Sequence, residues 1–72
     1  MNHNIEFGKR VRIARKNKHY TQDELASIAG INRGYMGEIE RGSASPSLNK
    51  IVQISKALEI DIEQLTSCLE WK

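Results

Sequence analysis

The chain is 72 residues long, carries a formal net charge of +2 and holds one cysteine. That length suits one domain spanning residues 1–72, leaves no room for a separate catalytic or ligand-binding domain, and the lone Cys68 excludes an intramolecular disulfide. The amino end, MNHNIEF, lacks the apolar run of a signal peptide and no stretch is apolar enough to span a membrane, so the expected compartment is the cytoplasm.

The first helix is predicted from about Asn4 to Asn17, with Phe7, Val11 and Ala14 as its buried stripe at i, i+4 and i+7. Lys9, Arg10, Arg12, Arg15, Lys16 and Lys18 face only Glu6 across residues 1–20, a local balance of +5, whereas residues 21–42 sum to −2 and 43–72 to −1. A basic first helix beside a near-neutral remainder fits a phosphate-facing edge, and a solvated surface helix fits it too. Lys18, His19 and Tyr20 form the connection.

Thr21 opens the second helix, and Thr21-Gln-Asp-Glu24 has the form of a capping box. From Gln22 onward the spacing is that of two short helices crossing over a tight turn. Leu25, Ala29, Met36 and Ile39 fall at helical spacing toward a shared core. Ala26 is small where the second helix must cross closely. Gly30 stands where the chain reverses and positive φ is favoured, and Ile31 plugs back under the turn. This is helix-turn-helix geometry, in which the second helix of the pair is offered to the major groove of DNA.

Asn32 is the expected N-cap of the third helix, which stops near Arg41 and Gly42. Ser43 to Pro46 form a loop, and Ser47 caps a fourth helix with Leu48, Ile51, Ile54 and Leu58 on one face. Asp61-Ile-Glu-Gln64 is a second capping-box-like start, opening a fifth helix through Leu65 to about Leu69. No window alternates with period two over strand length, so the expected class is all-α.

Taken in order, FGKRVRIAR, TQDELA, the IERG near residue 40, SPSL and KALEI make the stretch from Phe7 to Leu65 resemble the Cro/repressor type of helix-turn-helix domain, the Xre family. That resemblance implies a compact, lambda-repressor-like domain of five helices. Within it, NRGYMGEIERG in a short chain is similar to the controller proteins of restriction–modification systems, which are dimeric regulators. It also implies that Gln22 grips the DNA backbone and that Arg15 and Glu40 form an internal ion pair joining the first helix to the end of the third. Breaking a partly buried pair strands a charge, so loss of DNA binding after either mutation would be ambiguous. The chain departs from the family at His19, where glycine is usual, and Gly34 is an uncommon choice inside a helix.

Helical geometry points Met36 and Ile39 inward and puts Arg33, Gly34, Gly37 and Glu38 on or near the outward face, with Tyr35 flanking. Arg33 is the expected base reader, since its fork matches guanine O6 and N7; a phosphate contact or a free surface arginine is the plainer alternative. Asn32 sits at a helix N-terminus, where capping alone would explain it and phosphate or base contact is also apt. Gly34 offers no side chain and permits close backbone approach. Tyr35 suits a sugar, a thymine methyl or a phosphate, or the edge of the core. Glu38 can accept from cytosine N4, or pair with Arg33 or Arg41. Arg41, Ser43 and Ser45 are expected at the DNA backbone, with Lys9 and Arg10 as weaker choices.

A core of this size is worth about 3–5 kcal/mol unless supplemented. Ile60 and Leu65 join the fourth helix's apolar face in completing it. Val52, Ile62, Leu69 and Trp71 are then left over, and such a surplus marks an association surface. The expected assembly is a homodimer through the carboxyl-terminal helices. It would bind double-stranded DNA at a pseudo-palindromic operator, with RNA polymerase as a further partner. A phage or plasmid repressor, or an antitoxin, shares much of the pattern. A module bridging transcription proteins without reading bases is the alternative of another class, against which Arg33 and Tyr35 argue. No enzyme, metal or cofactor is expected, because His3, His19 and Cys68 are scattered and have no chemical partners nearby in sequence.

Overall fold

The computed structural model describes residues 3–67, and five α-helices follow one another along them. They are α1 (His3–Asn17), α2 (Gln22–Ala29), α3 (Arg33–Arg41), α4 (Leu48–Leu58) and α5 (Ile62–Thr66). Each start has a local chemical cause. Thr21 Oγ1 accepts from the Glu24 N–H while the Glu24 carboxylate accepts from the Thr21 N–H, which satisfies two donors at the start of α2. Asn32 Oδ1 accepts from the Tyr35 N–H, and Ser47 Oγ accepts from the Lys50 N–H. At α5 the Gln64 side chain accepts from the Asp61 N–H.

The ends of α1 to α4 share one pattern. A residue in the left-handed region donates its N–H three residues back, and the next residue donates five back, as in the Schellman motif. The left-handed residues are His19 (φ 62°), Gly30 (φ 70°), Gly42 (φ 79°) and Glu59 (φ 57°). Glycine adopts this conformation without cost, so Gly30 and Gly42 are local stop signals. His19 and Glu59 reach it against their Cβ atoms.

The core comes from all five helices and the turn. Phe7, Val11, Leu25, Met36, Ile39, Ile54, Leu58 and Leu65 are fully enclosed, and Ala26, Ala29, Ile31, Ile51 and Ala57 complete it. Each large side chain so buried contributes about 1.5–3 kcal/mol before the entropy of ordering the chain is charged against it. Ala14, Tyr20, Tyr35, Ala44, Ile60 and Ile62 pack on its border. Leu48 does not join it. It is the first residue of α4, just after the cap, and is 63% exposed. Helical phase alone put it with Ile51 and Ile54, but the helix begins there beyond the core's edge.

α1 crosses α3 with backbone against backbone. A Cβ built on Gly8 would lie 2.4 Å from the Ile39 carbonyl oxygen and 2.6 Å from that of Glu40. A Cβ on Gly42 would meet Ile5 of α1 just as closely, at 2.5 Å. The two glycines hold the basic helix hard against the end of α3. α5 ends at Thr66, earlier than the fifth helix expected from sequence, and Leu69 and Trp71 lie outside the described residues.

Candidate nucleic-acid interface

The turn Gly30-Ile31-Asn32 joins the end of α2 to the start of α3, and Gln22 and Asp23 at the start of α2 reach across to α3. Each start presents backbone N–H groups and a partial positive charge, which suits phosphate. Across the gap the two helices are joined by an ion pair: Arg33 Nε lies 2.6 Å from Asp23 Oδ1. Both side chains are open to solvent, at 76% and 59% exposure. Arg33 therefore pairs neither with Glu38, one of the alternatives open from sequence, nor with the body of the domain. Asp23 is a participant that no sequence motif marks. The capping box drew attention to Glu24, and nothing in TQDELA marks its neighbour. The available signal was two opposite charges in the first turns of the two helices of one helix-turn-helix.

Behind this gap sits a polar cluster. Arg15 Nε donates to Glu40 Oε2 at 2.8 Å and Nη2 to Oε1 at 3.1 Å, while Nη1 donates to the Tyr20 carbonyl at 2.9 Å. Gln22 Nε2 adds a bond to Glu40 Oε1 at 3.2 Å. The Arg15 and Glu40 side chains are only 12% and 4% exposed. The cluster joins α1, the α1–α2 connection, the start of α2 and the end of α3. It fixes Gln22 at the helix opening, yet an amide nitrogen carries two hydrogens, so the second is left for an acceptor outside.

The remaining expected residues fall in three groups. Asn32, Arg33, Gly34, Glu38, Arg41, Ser43 and Ser45 are exposed, and Tyr35 is half-buried against the core. Asn32 is engaged as the cap of α3, and Ser43 donates from both N and Oγ to the Glu38 carbonyl. Gly37 departs from the outward face on which helical phase placed it. It is buried, with Arg41 Nη1 3.1 Å and Gln22 Oε1 3.4 Å from where its Cβ would stand. The side chains of two flanking residues close over it. Arg10 also departs from the expected edge: its Nη1 donates to the Gln64 carbonyl at 3.2 Å and to Ser67 Oγ at 2.7 Å, which ties α1 to α5. The basic character of α1 is thus divided among an internal pair, a clamp on α5 and the exposed Lys9, Arg12 and Lys16.

Residues 11–65 match the helix-turn-helix family HTH_3. The chain belongs to this helix-turn-helix family. Its members are DNA-binding transcriptional regulators, and this chain is one of them. It is 41% identical over 59 residues to YazB of Bacillus subtilis, an HTH-type transcriptional regulator, covering 82% of this chain and 86% of that one. It is 40% identical over 68 residues to the control protein C.BamHI of Bacillus amyloliquefaciens, covering 90% and 84%. The crystal structure of the restriction–modification controller protein C.AhdI from Aeromonas hydrophila superposes with a TM-score of 0.85 at 37% identity, covering 86% of this chain and 94% of that one. In the helix-turn-helix frame α2 is the supporting helix and α3 the one presented to the groove. No helix among the described residues is long and apolar enough to cross a membrane.

Proposed function

We propose that this regulator works as a homodimer on a pseudo-palindromic operator, as the controller protein of a restriction–modification system. The observation that carries the proposal is similarity to C.BamHI and C.AhdI along most of both chains, which takes in the helices after the helix-turn-helix as well as the motif itself. Val52 on α4 and Ile62 on α5 are half-buried apolar residues, which supports a two-fold contact through those helices. Leu69 and Trp71, assigned to the same contact, lie outside the described residues. Such a dimer places two α3 helices about 34 Å apart, one turn of DNA. The cytoplasm is the compartment where it meets its operator, and RNA polymerase is the further partner at a promoter.

In each half-site Arg33 takes guanine O6 and N7, with Tyr35 and Glu38 beside it and Gly34 letting the backbone approach. Gln22, Asn32, Arg41, Ser43 and Ser45 take phosphates and set the register. Selection of bound sequences from a random DNA pool should return a two-fold symmetric site. Affinity for it should fall with salt by several log units per log unit, at about 0.9 counterions per neutralised phosphate. Arg33→Ala should cost about 1–3 kcal/mol per half-site and relax one symmetric base position. A folded Arg33→Ala dimer that keeps every base preference would count against direct readout, and an asymmetric site bound by monomer would count against the dimer.

A further inference from the structure

Asp23 is the feature of this interface that phosphate gripping and base reading leave unexplained. An exposed carboxylate in the first turn of α2 faces the side where DNA phosphates must come, and it should repel them. It does gain from the helix N-terminus, but any acid there would. What distinguishes it is its contact: Oδ1 lies 2.6 Å from Arg33 Nε, and no other ion pair holds that guanidinium among the described residues.

We propose that Asp23 is a specificity-determining residue that positions Arg33 for its base. The nitrogen it engages is what matters. A guanidinium carries five N–H donors in a rigid fork, and its two terminal amino groups can take guanine O6 and N7 end-on. A carboxylate across those two groups would block the base. A carboxylate whose closest approach is to Nε leaves the end-on face open to the base and limits the rotation of an arginine that is otherwise 76% exposed. Asp23 also penalises error. An acceptor-only carboxylate at the DNA surface repels every sequence, and only a base that engages the Arg33 terminal amino groups offsets that cost.

The inference rests on the assignment of Arg33 as base reader, and the two are separable. Binding is measured for wild type, Asp23→Asn, Asp23→Ala, Arg33→Ala and the Asp23→Asn/Arg33→Ala double variant. The DNA probes are the selected operator, the same operator changed at each symmetric position, and a scrambled duplex. Circular dichroism checks folding, which the exposed Asp23 is not expected to affect. Asp23→Asn and Asp23→Ala should bind scrambled DNA as tightly as wild type or more tightly. They should lose about two- to fivefold of the discrimination at the Arg33 position alone, the range that exposed ion-pair coupling corresponds to. The double variant should discriminate no less than Arg33→Ala at that position. If Arg33→Ala abolishes discrimination there while both Asp23 variants keep it in full, Asp23 does not position Arg33 and the base assignment stands. If the Asp23 variants weaken all sequences alike, the role is structural and the proposal is overturned. If Arg33→Ala discriminates like wild type, the base assignment fails and this inference fails with it.

Discussion

Glu40 illustrates how a charged residue near a DNA-binding surface can belong to the fold. Its carboxylate accepts two bonds from Arg15 and one from Gln22, and it is almost completely enclosed. Removing it leaves the Arg15 guanidinium largely desolvated and held only by the Tyr20 carbonyl. Glu40→Ala should therefore cost about 3–5 kcal/mol, comparable to the whole stability of so small a core. Urea unfolding in the presence of operator DNA should show the loss, and a variant as stable as wild type would mean that the cluster relaxes onto water. Which charges belong to the fold was only partly readable in sequence. The Arg15–Glu40 pairing came from family resemblance; nothing local to either residue indicates it. The Asp23–Arg33 pair and the clamp of Arg10 on Gln64 and Ser67 join residues from separate parts of the chain, and nothing local in the sequence signals either.

At the scale of the helices, the strong signals were the ones written within a few residues. Thr21 with Glu24, Asn32, Gly42 and Ser47 each satisfy or terminate a helix end locally, so the element boundaries could be read directly. Gly8 could not, because its reason is the Ile39 and Glu40 carbonyls of another helix. In an exposed helix, changing glycine to alanine is favourable by up to about 1 kcal/mol. Here the added methyl must push two backbones apart, and Gly8→Ala should instead lose about 1–3 kcal/mol. Thermal unfolding decides the sign. The two helix ends without glycine predict the reverse. His19→Gly relieves a left-handed side chain and should raise stability by about 1 kcal/mol, read from the urea midpoint at unchanged slope. At the other such end, the Lys18 ammonium donates to the Glu59 carboxylate at 2.5 Å. That hydrogen bond holds the Glu59 carboxyl below its ordinary value and raises Lys18 above its own. The carboxylate's contribution is present above pH 4.5 and is lost as pH falls through its lowered value. The ammonium's contribution is complete below pH 10.5 and is lost as pH rises through its raised value. Both groups are exposed, so salt should diminish the effect. Glu59→Gln should flatten the acid limb of the stability–pH curve; an unchanged limb would mean the pair contributes nothing in solution.

For the whole molecule, the test of assembly is mass. Sedimentation equilibrium should show a dimer at micromolar concentration, and Val52→Glu or Ile62→Glu should weaken association more than folding. A wild-type chain that stays monomeric well above that range would remove the basis for a two-fold operator. The all-helical fold itself was legible because periodicity, caps and stops agreed at every level. The division of apolar surface was less so. Helical phase assigned Leu48 to the core, whereas its place just after a cap leaves it in solvent.

The close crossing at Gly8 has a consequence for how the protein meets DNA. Where Gly8 meets the Ile39 and Glu40 carbonyls no side chain separates α1 from α3, which resists sliding of one helix past the other. On the proposed reading, what DNA orders among the described residues is exposed side chains such as Arg33, Glu38 and Arg41. The entropic cost of recognition is then a matter of a few rotamers. The heat-capacity change of binding should match the surface buried at the interface, with no excess of the kind that coupled folding produces.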